Sequence, residues 1–170
     1  MNRQAMNPRD LPLEKISALP ITHEATIPEE YLDSMGHMNV MWYTHLFSNA
    51  MGGLFQLIGL DNAYMKQHNA GTFALEAHIR YLSEVRVGHS VAIHTRLISR
   101  SAKRFHVMHF MLNHTKEDLA AIFETVGTHI DMTIRSSSEF PENIAEQLER
   151  LVEQHQQLEW EVPVCGSMRS

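Results

Sequence analysis

Seven residues, Asp33-Ser34-Met35-Gly36-His37-Met38-Asn39, bring a carboxylate, an imidazole and a carboxamide together around one glycine. A carboxylate such as Asp33 can attack an electrophilic carbonyl directly, or take a proton from the water that attacks it. That chemistry also needs donors for the charge that develops on the carbonyl oxygen. A helix beginning at about Val40 would present free backbone amides and its positive dipole end to this segment. Gly36 would permit a backbone turn and a close ligand approach that a side chain would obstruct. The plainer reading is that Asp33 or Asn39 caps the helix, and one loop can hold both roles.

Glu76 is a second carboxylate candidate, sharing the polar face of a predicted strand with His78 and Arg80; a solvated strand face is the plainer reading. Arg100, Ser101, Lys103 and Arg104 form a basic turn in which Arg or Lys could hold phosphate by charge-assisted hydrogen bonds. Arg86 is a weaker addition. The chain has 12 histidines, and His106 and His109 make an H-x-x-H spacing. Positions three apart on a strand face opposite ways, and the chain has neither H-E-x-x-H nor a cysteine–histidine set, so no catalytic metal is expected. Met35, Met38 and Met41 flank the loop; core filling is their default role. An acyl-pocket lining including Met38, Trp42 and Tyr43 is the alternative.

Several elements must position these residues. A short strand is expected over Ile21 to Ile27. The long helix runs from about Val40 to Leu60, with Leu46, Phe47, Ala50, Leu54, Leu57 and Ile58 at helical spacing and Gly59 as its stop. Gly52 and Gly53 inside it each cost about 1 kcal/mol relative to alanine, which a helix pressed against a sheet would explain. A second helical piece covers Asp61 to His68. Alternation predicts strands at Thr72 to Leu82, Ser90 to Ser99, Arg104 to Asn113 and Leu119 to Ile134, read as a four-strand meander. In the first of these, Phe73, Leu75, Ala77, Ile79 and Tyr81 share the apolar face. A final helix covers Phe140 to Leu158. Residues 1–20 read as an extended arm, because Pro8, Pro12 and Pro20 interrupt helix formation. The domain reading is therefore an arm (1–20), an α+β domain (21–134) and a C-terminal helix and tail (135–170).

Length and composition bound the rest. A chain of 170 residues suits one domain with a real core. The net charge of -6 argues against broad nucleic-acid binding. The single cysteine, Cys165, excludes an intramolecular disulfide and fits a reducing cytoplasm; its neighbours read as a flexible end. No window reaches the roughly 18 apolar residues of a membrane span, so no membrane is expected as a partner.

The Asp33 to Asn39 segment, set between a strand and the long helix, resembles the D-x-x-G-H-x-N signature of 4-hydroxybenzoyl-CoA-thioesterase-like hotdog proteins. Tyr81-Leu82-Ser83-Glu84-Val85-Arg86-Val87-Gly88 is similar to that family's Y-x-x-P-x-x-x-G pattern, with Glu84 where proline is usual. The resemblance covers about Ile21 to Ile134. It implies a hotdog fold, an antiparallel sheet wrapped around one long helix, and hydrolysis of an acyl-CoA thioester to free acid and CoA. It places Asp33 at the catalytic carboxylate position, with His37 and Asn39 shaping the loop and orienting carbonyl or water. Glu76 would act from a partner subunit, and Arg100 to Arg104 would hold CoA phosphates. No cofactor is expected, CoA being part of the substrate. Open sheet edges favour a homodimer or a dimer of dimers. A hotdog dehydratase or hydratase, or a non-enzymatic acyl-CoA-binding module, is the alternative.

Overall fold

The computed structural model describes residues 7–170; Met1 to Met6, the first part of the predicted arm, lie outside the described residues. The elements are α1 (Leu13–Ser17), β1 (Ile21–Thr26), α2 (Val40–Ile58), α3 (Asn62–His68), β2 (Ala70–Tyr81), β3 (Ser90–Arg100), β4 (Arg104–Asn113), β5 (Asp118–Asp131), β6 (Ser136–Ser137) and α4 (Glu142–Gln156). This is an α+β architecture in which an antiparallel sheet curls around α2, the hotdog fold expected from the sequence.

The strand order is β1-β3-β4-β5-β2, with the two residues of β6 added beside β5. The predicted four-strand meander is therefore corrected. Only β3, β4 and β5 follow one another, while β2 pairs with β5, from Ala70 opposite Asp131 to Tyr81 opposite Ala121. Periodicity identifies strands but says nothing of their pairing, and the connection 82–89 is too long for a tight hairpin. A bulge at Leu75 resets the alternation of β2. Phe73, Leu75 and Tyr81, read as part of one apolar face, are exposed on this edge strand.

The helix α2 forms because its apolar stripe can be buried. Leu46, Phe47 and Ala50 pack on Val91, Ile93, Met111 and Ala121 of the sheet. Leu54, Phe55 and Ile58 continue onto Leu97, Phe105 and Val107, and meet Ile144, Leu148 and Val152 of α4. Asn39 caps the start, its Oδ1 accepting from the Met41 amide at 2.9 Å. Gly59, at φ 77°, ends the helix in the left-handed conformation. Of the two internal glycines, only Gly53 has the expected packing reason, since a Cβ there would overlap the Thr22 carbonyl. Gly52 has open space at that position.

The opposite sheet face is covered by the segment read from sequence as an extended arm and by residues that follow α4. The extended-arm reading is corrected. Pro8–Asp10 form a 3-10 turn and Leu13–Ser17 a helix, with Pro12 at its N-cap, where a missing amide costs nothing. Leu11, Ile16 and Leu19 pack on Met108, Phe110, Leu112 and Ile122, with Trp160 and Val162 beside them. Arg96 stacks 4.4 Å from the Trp160 ring centre and donates to the carbonyls of Trp160 and His155. The helix α4 lies along the part of β3 that β1 leaves unpaired, and the Leu97 amide donates to His155 Nδ1 at 2.9 Å.

Candidate active site

The segment Asp33 to Asn39 is a closed loop at the start of α2. The Asp33 amide donates to the His37 carbonyl at 3.0 Å, the Gly36 amide to the Asp33 carbonyl at 3.1 Å, and Leu32 and Met38 form an isolated bridge. Gly36 sits at φ 80°, so the glycine is required for this turn. The loop is fixed to its surroundings through its backbone. The Met38 amide donates to the Val85 carbonyl at 2.7 Å and the Asn39 amide to the Tyr31 carbonyl at 2.9 Å. Met38 is buried, while Met35 and Met41 are exposed.

The cap and the free carboxylate are separate residues. Asn39 occupies the cap position of α2. The Asp33 carboxylate turns to its own loop: Oδ1 accepts from the Met35 amide at 2.8 Å, and Oδ2 lies 3.4 Å from His37 Nδ1. It keeps 23% of its side-chain surface exposed, so it is oriented yet reachable.

Beside His37 opens a cavity of about 260 Å³, lined by Met38, Val40, Tyr43, Tyr81, Leu82, Ser83 and Glu84. The Tyr43 and Tyr81 rings meet edge to face, 5.1 Å between centres and 80° between planes. Burial pushes the Tyr43 phenol up to about 12, and its hydroxyl donates to the Ser83 carbonyl at 3.4 Å. Trp42 does not line the cavity; it stacks on Tyr31 at 3.8 Å and braces the first turn of α2.

Cations also gather at this end of the sheet. Arg86 pairs with Glu84 at 2.9 Å, Lys116 reaches Ser83 Oγ at 2.8 Å, and Arg9 donates to the Leu82 carbonyl at 2.8 Å. Sequence reasoning missed Tyr81, Ser83, Glu84, Lys116 and Arg9. The signal for the first three lies in the Tyr81 to Gly88 pattern.

Two predicted groups are not brought to the loop within one chain. The basic turn joins the end of β3 to the start of β4, at the opposite end of the strands. There Arg100 is held by Glu149 at 2.6 Å, Ser101 Oγ accepts from the Arg104 amide, and the Lys103 carbonyl accepts from His129. Glu76 is exposed in the middle of β2, five residues and about 17 Å of strand before Tyr81. The H-x-x-H pair behaves as a strand should. His106 meets Glu124 on the outer face, and His109 is enclosed between Phe47 and Phe123 beneath α2.

Residues 27–148 match the family model described as the thioesterase-like superfamily. A betainyl-CoA thioesterase of Pseudomonas aeruginosa is 29% identical over 143 residues, 84% of this chain and 90% of that protein. A solved structure from Pseudomonas putida KT2440 is 30% identical with a TM-score of 0.73, covering 89% of this chain and 96% of that one. A Staphylococcus aureus protein solved in complex with CoA shares 22% identity with a TM-score of 0.79 over the same shares of the two chains.

Proposed function

From the premise that this chain belongs to the thioesterase-like superfamily and is an acyl-CoA thioesterase, we propose a reaction centred on Asp33 and an acyl group that is small and carries a quaternary ammonium. The observation that carries the reading is the juxtaposition of a loop-held carboxylate, a helix N-terminus and an aromatic cavity. Asp33 acts as nucleophile or as general base toward water. In the base route it takes the proton of the water that adds to the carbonyl carbon. The C–S bond then breaks, and CoA leaves as a thiolate that recovers a proton. His37 orients Asp33, and the first amide of α2, at Val40, faces the developing oxyanion. Gly36 keeps the approach open.

The acyl pocket is the cavity beside His37. Perpendicular tyrosine rings attract a quaternary ammonium through their quadrupoles, and the Glu84 carboxylate, paired with Arg86, lies on the same cavity wall. A betainyl group, the acyl unit in the Pseudomonas aeruginosa relative's name, has this chemistry and is small enough for about 260 Å³. Arg9, Arg86 and Lys116 take the CoA phosphates from the same chain.

A second copy completes the site. Two β2 edges joined antiparallel about a twofold axis would set the Ala70 end of one beside the Tyr81 end of the other. Ala70 lies at the end of the sheet that carries the Arg100 to Arg104 turn. The partner's basic turn would then approach the Asp33 end of this chain, and both copies of Glu76 would lie near the axis. Among the described residues no helix is long and apolar enough to cross a membrane. The cytoplasm, where CoA esters are made and used, is the proposed place of action.

The test is release of free CoA thiol from betainyl-CoA, its neutral isostere 3,3-dimethylbutyryl-CoA, and a series of longer acyl-CoAs. Betainyl-CoA should show the highest kcat/KM. Equal turnover of the neutral isostere would overturn the acyl assignment, and turnover unaffected by Asp33→Asn would overturn the role of Asp33. Hydration of enoyl-CoA, or tight binding without turnover, would favour the alternative activities.

A further inference from the structure

On the sheet face opposite α2, three side chains of different chemistry converge: His78 of β2, Glu124 of β5 and Cys165 of the C-terminal tail. One ligand atom from each lies within 4.8 Å of the other two. We propose that they form a zinc site that clamps the tail to the sheet.

Imidazole, carboxylate and thiolate are the ligand types zinc accepts, and an ideal tetrahedral site would separate them by about 3.4–3.6 Å. The three therefore need to draw in by about 1 Å. Cys165 is the one able to move, being half-buried and followed by Gly166 in the left-handed conformation. Glu124 is already oriented. It is almost fully buried, its Oε1 takes His106 Nε2 at 2.9 Å, and its Oε2 takes the Cys165 amide at 2.7 Å. A ligand carboxylate steadied by a neighbouring donor is the usual outer arrangement of a metal centre. The Cys165 amide bond brings the thiol to Glu124 whether or not an ion is bound. A cavity of about 290 Å³ adjoins the Glu124 side of the cluster, lined also by His106, Val164 and Gly166, and has room for water.

Each ligand also has a reason of place. His78 and Glu124 are paired in register across β2 and β5, so the sheet fixes their spacing. The tail is tied down nearby, Arg80 donating to the Pro163 carbonyl at 3.2 Å and Ser99 bonding Ser170 at 2.7 Å. Binding converts the Cys165 thiol to a zinc thiolate and releases one proton, while His78 binds neutral and Glu124 as carboxylate. The ion would stabilise the folded chain by mass action and take no part in the thioester chemistry on the other face.

Cobalt(II) is the probe, because a cobalt–thiolate bond gives a near-ultraviolet charge-transfer band. Cys165 is the only cysteine, so the band reports this site and none of the other histidines. Wild type should develop the band with one equivalent of cobalt, and zinc should displace it. Cys165→Ser should lack the band and retain one fewer zinc at equilibrium dialysis. His78→Gln should weaken cobalt binding by about tenfold or more. No band in wild type under saturating cobalt overturns the site. A His78→Gln titration that superimposes on wild type overturns the assignment of His78. Both variants alter residues outside the main core, and circular dichroism verifies that they fold.

Discussion

Asp33 Oδ2 lies 3.4 Å from His37 Nδ1, four residues on, while the helix cap between loop and helix belongs to Asn39. The carboxylate is thus freed from capping and keeps a partner that can orient it. Asp33→Asn should lower kcat by about 10²–10⁴-fold, the range for loss of a positioned acid–base group, with an unchanged circular dichroism spectrum. Single turnover in oxygen-18 water then tests the covalent route: label incorporated into the Asp33 carboxylate marks an anhydride intermediate opened by water at the aspartyl carbon.

Tyr43 and Tyr81 should discriminate by charge. Removal of the exposed ring in Tyr81→Ala should lower kcat/KM for betainyl-CoA by about 2- to 30-fold, the equivalent of roughly 0.5–2 kcal/mol of cation–π attraction. The neutral isostere should change far less. Burial pushes the Tyr43 phenol up to about 12, so pH–rate profiles should show no ionisation from this residue below that value.

The glycine pair in α2 offers a test in two directions. Gly53→Ala puts a Cβ into the Thr22 carbonyl and should destabilise by about 1–3 kcal/mol. Gly52→Ala meets nothing within 4 Å and should stabilise by about 0.5–1 kcal/mol. Urea denaturation of the two variants measures both.

Acid should weaken the fold through His109. Complete burial lowers its pKa from 6.5 to about 3. The unfolded chain therefore binds a proton as pH falls through 6.5, and the folded chain does not until about pH 3. Stability is at its full value above 6.5 and is lost across that window, by up to about 1.4 kcal/mol per pH unit from this group. Burial also lowers His94, His129 and His155, which add in the same direction. Unfolding free energies at a series of pH values should rise with pH over this range, and His109→Gln should flatten the slope.

The exposed edge of β2 should pair two chains. Light scattering is expected to give twice the chain mass of 19.5 kDa or a higher even multiple. Charges placed on the edge by Phe73→Lys with Leu75→Lys should shift the mass toward the monomer and lower activity with it.

Local features were readable from residue types because their causes are local. The turn at Gly36, the apolar stripe of α2, the stop at Gly59 and the opposite faces of His106 and His109 each follow from spacing over a few residues. What escaped depends on contacts distant in sequence. Nothing near Thr72 indicates that β2 must cross to β5, and nothing near Cys165 points to Glu124. The arm misled through its prolines, of which Pro12 starts a helix. The cavity wall at Tyr81 to Glu84 becomes visible only once the Val85 carbonyl receives the Met38 amide and draws the two segments together.

The strand order also sets how the chain must assemble in time. β3, β4 and β5 are joined by short turns and can zip up from neighbouring residues. The two edges cannot, since Ile21 must find His94 and Ala70 must find Asp131. Such high contact order makes for slow folding. The three-strand meander is therefore the part expected to form first, with the β1 and β2 edges joining it later.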